Sequence, residues 1–149
     1  MSSSSRAWAT LGRRSVAARI GAEVVAPEDA IGLECDVYAP CALGGTLNAE
    51  SIPRLRCRVV AGSANNQLHE REDSDGLRDA GILFAPDFVI NAGGVLYAWG
   101  TESLHWDFDT VETRLAGIGD TLAEIFARAD AEGLGTDAAA EQLARTRSS

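Results

Sequence analysis

The sequence contains no lysine. All thirteen basic residues are arginine, against 22 aspartates and glutamates, and the formal net charge at pH 7 is −9. A chain with this charge is poorly suited to bind nucleic acid or an anionic membrane, so we expect neither partner. Chemistry that requires a lysine amine cannot come from these 149 residues.

Cysteine is also scarce. Cys35, Cys41 and Cys57 are an odd number and lack CxxC spacing. We therefore expect neither a disulfide framework nor a zinc site. We expect a reducing, cytoplasmic location. No apolar run reaches the roughly 18 residues that cross a bilayer. The sequence also has no GxSxG motif and no cluster of metal ligands, so we expect no serine hydrolase site and no metal site.

The first 20 residues differ in composition from the rest. They contain a serine run and several arginines, and no acidic residue precedes Glu23. We expect a poorly ordered start that leads into a helix near residues 10–19. A mitochondrial targeting peptide is the alternative. Residues 21–149 are long enough for one domain with a hydrophobic core, in a chain that is 46% apolar.

Three short apolar runs end in small or amide residues. They read DVYA, CRVVA and ILFA, and they occupy residues 36–39, 57–61 and 82–85. Such runs are typical of strands buried in a parallel sheet. Ligands of open parallel sheets bind outside the carboxyl ends of the strands. We therefore expect the segments that follow the runs to line one crevice: residues 39–46, 62–67 and 85–95.

The last third of the chain changes to a helical period. Apolar residues recur at steps of three and four at Val111, Leu115, Ile118, Leu122, Ile125 and Phe126. This pattern predicts an amphipathic helix, which residues 133–135 should end before a final helix. An earlier helix is predicted over residues 91–103. Strands that alternate with helices and are followed by helices indicate an α/β fold.

The strand ends carry a family resemblance. The blocks ECDVYAPCALGG, AGSANNQL and FAPDFVINAGGV occur in this order. Together they resemble the nucleotide-binding domain of the Glu/Leu/Phe/Val amino-acid dehydrogenases, in particular the leucine, valine and phenylalanine enzymes. The resemblance covers residues 21–145 and only the last part of that family's chain. It implies NAD as cofactor, an aliphatic or aromatic L-amino acid as substrate, oxidative deamination to the 2-oxo acid and ammonia, and a homo-oligomer.

The resemblance also implies roles for individual residues. The cofactor would contact Pro40, Cys41, Ala42, Asn65 and Asn91, with the first three passing the nicotinamide ribose. The substrate would contact Asn66, Val95 and Ala98. An asparagine amide can both donate and accept, which suits a carboxamide or a carboxylate. The alternatives are turn chemistry for the asparagines and ordinary helix core for Val95 and Ala98.

Other parts of a dehydrogenase are missing. No GxGxxG motif occurs, although in the dinucleotide fold this loop presents the pyrophosphate to a helix N-terminus. The resemblance further implies two lysines, one that holds the substrate carboxylate and one that activates water. We therefore expect a fragment that has no catalytic residue of its own and is inactive alone. The alternative is a non-enzymatic module that binds a nucleotide or completes a partner chain.

The expected architecture is an incomplete Rossmann-type, doubly wound parallel sheet. By resemblance, residues 22–26, 36–39, 57–61 and 82–85 correspond to strands 3, 4, 5 and 6 of the order 3-2-1-4-5-6. No sequence corresponds to strands 1 and 2, which would separate strands 3 and 4. We predict a parallel core in the order 4-5-6, with residues 22–26 displaced onto the free edge of strand 4. Helices over about residues 104–149 should complete this partial dinucleotide-binding domain.

Overall fold

The computed structural model describes residues 14–148. The chain divides into two compact units, Met1–Gly32 and Leu33–Ser149. The serine run, the start of the predicted N-terminal helix and most of the alternative targeting peptide lie outside the described residues.

The first unit is helical in its described part. Helix α1 covers residues 14–20. It ends where the backbone N–H of Ala22 donates to the Ala17 carbonyl at 2.9 Å. Helix α2 is the single turn Pro27–Ala30, with proline at its start, where a missing N–H costs nothing. The helix predicted near residues 10–19 is thus present in its described part.

Residues 22–26 form no strand, so the predicted displaced strand 3 is wrong. The segment is a short link between the end of α1 and Pro27 at the start of α2. Its two β-branched residues, Val24 and Val25, favour extended backbone, but a strand exists only through its ladder of hydrogen bonds. In the order 3-2-1-4-5-6, the neighbour that would supply that ladder is strand 2, for which this sequence has no counterpart.

The second unit contains a three-stranded parallel sheet. Its strands are β1 (Val37–Tyr38), β2 (Val59–Val60) and β3 (Leu83–Phe84), in the order β1-β2-β3. Val37 pairs with Val59, and Val60 pairs with Phe84. This arrangement confirms the predicted parallel order 4-5-6. The 3-10 helix Ile52–Arg54 lies between β1 and β2, and helix α3 (Asp73–Asp79) lies between β2 and β3.

Four helices follow the sheet. They are α4 (Asp87–Ile90), α5 (Gly93–Glu102), α6 (Phe108–Glu132) and α7 (Thr136–Arg147). Asp107 caps α6 by accepting from the Thr110 N–H at 2.9 Å, and Gly133 ends it with a φ of 65°. The predicted amphipathic helix and final helix are confirmed. The helix predicted over residues 91–103 starts two residues later and follows a short helix that the sequence did not indicate.

Two clusters of buried side chains hold the second unit together. The cluster on the sheet consists of Leu47, Ile52, Val60, Leu77, Ile82 and Phe84. The cluster between the last helices consists of Ile125, Ala129, Ala139, Ala140 and Leu143. Helix α3 packs on both β3 and α7, while α6 packs on α4, α5 and α7. Across residues 14–148, no helix combines the length and the apolar character needed to cross a bilayer.

Trp106 fixes the connection between α5 and α6. Its backbone N–H donates to the Gly100 carbonyl at 2.8 Å, and its ring lies directly against the Gly100 Cα. The Arg114 guanidinium lies 5.4 Å from the centroid of the same ring. A cation over an indole face is attracted by the ring quadrupole. These contacts hold α5 in place relative to α6.

Candidate functional site

The segments that leave β1 and β2 are joined by backbone hydrogen bonds. The Gly45 N–H donates to the Asn66 carbonyl at 2.7 Å, and the Leu47 N–H donates to the Gln67 carbonyl at 3.0 Å. The Ala64 N–H donates to the Pro40 carbonyl at 2.9 Å. The segment after β3 joins them through Asp87, whose Oδ2 accepts from the Asn66 N–H at 2.8 Å. The three predicted segments therefore meet at the carboxyl ends of the strands.

Two glycines allow this close approach. A Cβ added to Gly62 would lie 2.2 Å from the Pro40 carbonyl oxygen, and one added to Gly44 would lie 2.6 Å from the Asn65 carbonyl oxygen. Both distances are far shorter than a van der Waals contact. Gly44 therefore packs directly against the backbone of the neighbouring segment.

Two of the three candidate asparagines contact each other. Asn91 Nδ2 donates to Asn65 Oδ1 at 2.6 Å, which links the segments after β2 and β3. Asn66 has a left-handed backbone with a φ of 51°, a conformation that asparagine tolerates better than most residues. Turn chemistry is therefore present at Asn66. Asn65 and Asn66 are also exposed and Asn91 is half-buried, so their amides lie at the surface of the site.

Two further residues organise the site. Asp87 is only 8% exposed, and its carboxylate fixes Asn66 by accepting a hydrogen bond from the Asn66 backbone N–H. Gln67 is fully buried, and its Nε2 donates to the carbonyls of Gly62 at 2.8 Å and Ala64 at 2.9 Å. Neither residue is among the site residues predicted from the sequence. The available signal for Asp87 was an acid placed directly after a buried strand and Pro86.

The turn after β1 has one buried and two exposed members. Pro40 is buried, and Cys41 and Ala42 are exposed. Hydrogen bonds from the Ser63 hydroxyl and from the Ser63 backbone lower the pKa of the Cys41 thiol. The turn is thus attached to the β2 segment through Ser63, and its outer surface is accessible.

Val95 and Ala98 lie on the exposed side of α5. The Val95 side chain is 73% exposed, and Ala98 is also exposed. The helix-core alternative is therefore wrong for both residues. Leu96, between them in sequence, is half-buried and lies in the α5–α6 part of the unit. An exposed apolar pair on the helix that follows Asn91 can form a pocket wall once a second surface faces it.

Residues 9–147 match the family described as Glutamate/Leucine/Phenylalanine/Valine dehydrogenase. The chain belongs to this family. The segments that meet at the strand ends are those in which the sequence resemblance was found.

Curated members of the family share close to half of their residues with this chain. A leucine dehydrogenase of Bacillus cereus is 45% identical over 127 residues, which are 85% of this chain and 34% of that protein. A valine dehydrogenase of Streptomyces albus is 50% identical over 113 residues, 75% of this chain and 30% of that protein. The chain therefore spans about a third of the length of the curated relatives it matches.

Solved structures agree with this assignment. The L-tryptophan dehydrogenase of Nostoc punctiforme superposes with a TM-score of 0.85 at 41% identity, covering 90% of this chain and 40% of that one. A hetero-hexameric glutamate dehydrogenase of Thermus thermophilus gives a TM-score of 0.68 at 26% identity, covering 89% and 34%. The small parallel sheet and the helices after it are thus part of the family's Rossmann-like fold.

The carboxyl group of Asp137 has a shifted pKa. Asp137, at the start of α7, is buried, and its N–H donates to Ser74 Oγ at 3.2 Å. Burial raises the pKa of Asp137, the charge of Arg71 lowers it, and the charge of Asp87 raises it. The net shift is upward, so the folded chain holds this proton more tightly than the unfolded chain does.

The shift predicts a pH dependence of stability. Because the folded-state pKa of Asp137 is raised, its contribution to the unfolding free energy falls as the pH rises from the ordinary aspartate value, roughly 3.9, through the folded-state value. Asp137→Asn should remove that part of the decline. Urea unfolding across a pH series, with the wild type and variant in parallel, measures it. Identical pH profiles for the two proteins would refute the shift.

Proposed function

We propose that this chain supplies the nicotinamide-facing and substrate-facing side of an NAD-dependent amino-acid dehydrogenase site. The reaction would be oxidative deamination of an aliphatic or aromatic L-amino acid. The observation that carries the proposal is the bonded Asn65–Asn91 amide pair beside Asn66, in a chain that belongs to the dehydrogenase family. Relatives of this family act, by name, on leucine, valine and tryptophan.

The residues present fit a nicotinamide. The Asn65–Asn91 bond leaves Asn65 Nδ2 and Asn91 Oδ1 unused, so these atoms can donate to and accept from a carboxamide. The exposed Cys41 and Ala42 form a turn that can pass the adjoining ribose. Bound NAD would supply the hydride acceptor for the amino-acid α-carbon. The role of this chain is to orient that ring and to hold the substrate beside it.

The substrate would lie between Asn66 and α5. The Asn66 amide can donate to the substrate carboxylate, and its backbone is fixed by Asp87. Val95 and Ala98 offer an exposed apolar wall without a charge. Burial of a side chain against such a wall discriminates by about 1–3 kcal/mol per methylene. This fits aliphatic and aromatic amino acids and disfavours charged ones.

The chain does not carry the whole reaction. It has no lysine for the carboxylate-holding and water-activating roles that the resemblance implies, and no GxGxxG motif. Residues 133–138 read GLGTDA, but the N–H groups of Gly135 and Asp137 donate to Asp75 and Ser74. These two N–H groups are therefore occupied by side chains of α3 and are not free to bind a phosphate. Groups from outside these 149 residues would have to provide the lysines and the phosphate loop.

The isolated chain is expected to show no turnover. Purified protein of residues 1–149 should not reduce NAD with leucine, valine or phenylalanine above the rate of an empty-vector preparation. The measurement is NADH absorbance, combined with a calorimetric titration of NAD. Turnover above background would show that the missing lysines and phosphate loop are dispensable. It would contradict the proposal that this chain supplies only one side of the dehydrogenase site.

A second candidate function is that of a binding module that completes a partner chain. It is favoured by β1, which lies at the edge of the sheet with Val37 52% exposed. An edge strand presents unpaired backbone groups to which another strand can add. Saturable NAD binding without turnover would support a nucleotide-binding module. Binding of neither NAD nor another copy of the chain would count against both forms of this candidate.

A further inference from the structure

Two cysteines lie opposite each other at the amino ends of β1 and β2. A parallel bridge pairs Glu34 with Arg56, and the ladder pairs Val37 with Val59 at the same offset. This register places Cys35 opposite Cys57. The Cys35 N–H donates to the Arg56 carbonyl at 3.2 Å, so the strands are hydrogen-bonded at this point.

The backbone spacing at this pair suits a disulfide. Neighbouring strands lie about 4.8 Å apart. The Cα atoms of bridged cysteines are usually about 4.4 to 6.8 Å apart, so the interstrand spacing lies within the range for a disulfide. Side chains of directly opposed residues also point to the same face of a sheet. Both thiols are free and half-buried.

The charge of Cys35 affects the pKa of two neighbouring groups. Burial raises the pKa of the Cys57 thiol, and the charge of Cys35 raises it further. Burial, followed by the charges of Cys57 and Cys35, also raises the pKa of Tyr38. These directions agree with the strand register, which places the two cysteines opposite each other.

Cross-strand ion pairs flank the two thiols. Arg56 Nη2 lies 3.0 Å from Glu34 Oε2, and Arg58 Nη1 lies 4.0 Å from Asp36 Oδ1. These four side chains and the two cysteines line a shallow depression that is open to solvent. The two half-buried cysteines are thus part of a surface that faces solvent, although Cys57 also packs against the cluster on the sheet.

We propose that Cys35 and Cys57 form a dithiol modification site that closes to an intramolecular disulfide with a low-molecular-weight disulfide such as oxidised glutathione. One protein thiolate attacks a glutathione sulfur, forms a mixed disulfide and expels one glutathione thiolate. The second protein thiolate then attacks the protein sulfur of that mixed disulfide and expels the second glutathione. Two protein thiols are oxidised, one glutathione disulfide is reduced, and two protons pass to the released thiolates.

The disulfide between Cys35 and Cys57 would change how β1 is attached to the sheet. The bond would tie the edge strand β1 to β2 and close a loop that contains Pro40, Cys41 and Ala42. Each strand has only two residues in the ladder, so a covalent link adds substantially to the pairing. The site lies at the amino ends of the strands, opposite the end that carries the asparagines. Oxidation would therefore stabilise the sheet without occupying the proposed cofactor side.

The test uses the full chain incubated with glutathione disulfide and analysed by non-reducing peptide mapping. The expected product is one cross-linked peptide that contains Cys35 and Cys57, with the mass of two hydrogen atoms lost and full reversal by a dithiol reductant. Cys41→Ser should give the same cross-link. The melting temperature of the oxidised protein should rise by about 4–8 °C, the range that one extra kcal/mol gives in a small domain.

Cys35→Ser serves as the matched variant. Without its partner, Cys57 should stop at the mixed disulfide and keep one glutathione. Separate glutathione adducts on Cys35 and Cys57 of the wild type would overturn the proposal, as would a cross-link through Cys41. Two unmodified thiols, under conditions in which the urea-unfolded chain reacts, would also overturn it. The wild-type peptide map decides the matter even if the variant fails to fold.

Discussion

Gly62→Ala is expected to lower the unfolding free energy of the second unit by about 3 kcal/mol, the upper part of the range for overpacked substitutions. The added Cβ would lie 2.2 Å from the Pro40 carbonyl oxygen and 2.6 Å from the Pro40 nitrogen. Both atoms belong to the backbone, so no side-chain rotation can relieve the overlap. The segments would have to separate, which breaks the hydrogen bond from the Ala64 N–H to the Pro40 carbonyl.

Gly94→Ala is the matched control. Gly94 lies in the first turn of α5, and a Cβ added there meets nothing within 4 Å. Alanine in place of an exposed helical glycine should stabilise by up to about 1 kcal/mol. Urea unfolding followed by circular dichroism compares the two variants. If Gly62→Ala is as stable as Gly94→Ala, the described contact between the segments after β1 and β2 is wrong.

Asn66→Gly is expected to reduce catalysis by about 100-fold in a completed enzyme, the scale seen when one positioned polar donor is removed from an active site. Glycine keeps the left-handed backbone at a φ of 51° and so preserves the turn. Only the side-chain amide is lost. The completed enzyme can be a chimaera in which the matched segment of this chain replaces its 127-residue counterpart in the Bacillus cereus leucine dehydrogenase.

Gln142→Ala is the control for amide removal. Gln142 is exposed on α7, away from the strand-end segments. Gln142→Ala should leave kcat/KM for L-leucine unchanged, whereas Asn66→Gly should lower kcat/KM. Equal activity of both variants would remove Asn66 from the substrate site. Circular dichroism of each chimaera separates a catalytic loss from a folding loss.

The sequence predicted the features that depend on local patterns. The apolar runs around Val37, Val59 and Leu83 led to three parallel strands in the correct order, since buried strands have a distinctive composition. The spacing from Val111 to Phe126 led to the long helix α6. The strand-end segments could be placed together because the carboxyl ends of neighbouring parallel strands share one edge of a sheet.

The remaining features depend on tertiary contacts that no local pattern encodes. Val24 and Val25 have strand propensity, yet they form no strand because propensity needs a partner ladder. Asp87 matters through one bond to the Asn66 backbone, 21 positions away, and Gln67 through its burial. The juxtaposition of Cys35 and Cys57 follows only from the register of β1 against β2.

The most direct test of the proposed function is NAD-dependent oxidation of L-leucine by the chimaera. The relative's own segments would supply the lysines and the phosphate loop, and this chain would supply Asn65, Asn66 and Asn91. We predict turnover within about tenfold of the parent enzyme, because a tenfold change corresponds to only about 1.4 kcal/mol of transition-state stabilisation. A chimaera that folds, assembles and binds NAD but shows no leucine oxidation would contradict the assignment of the strand-end segments to the dehydrogenase site.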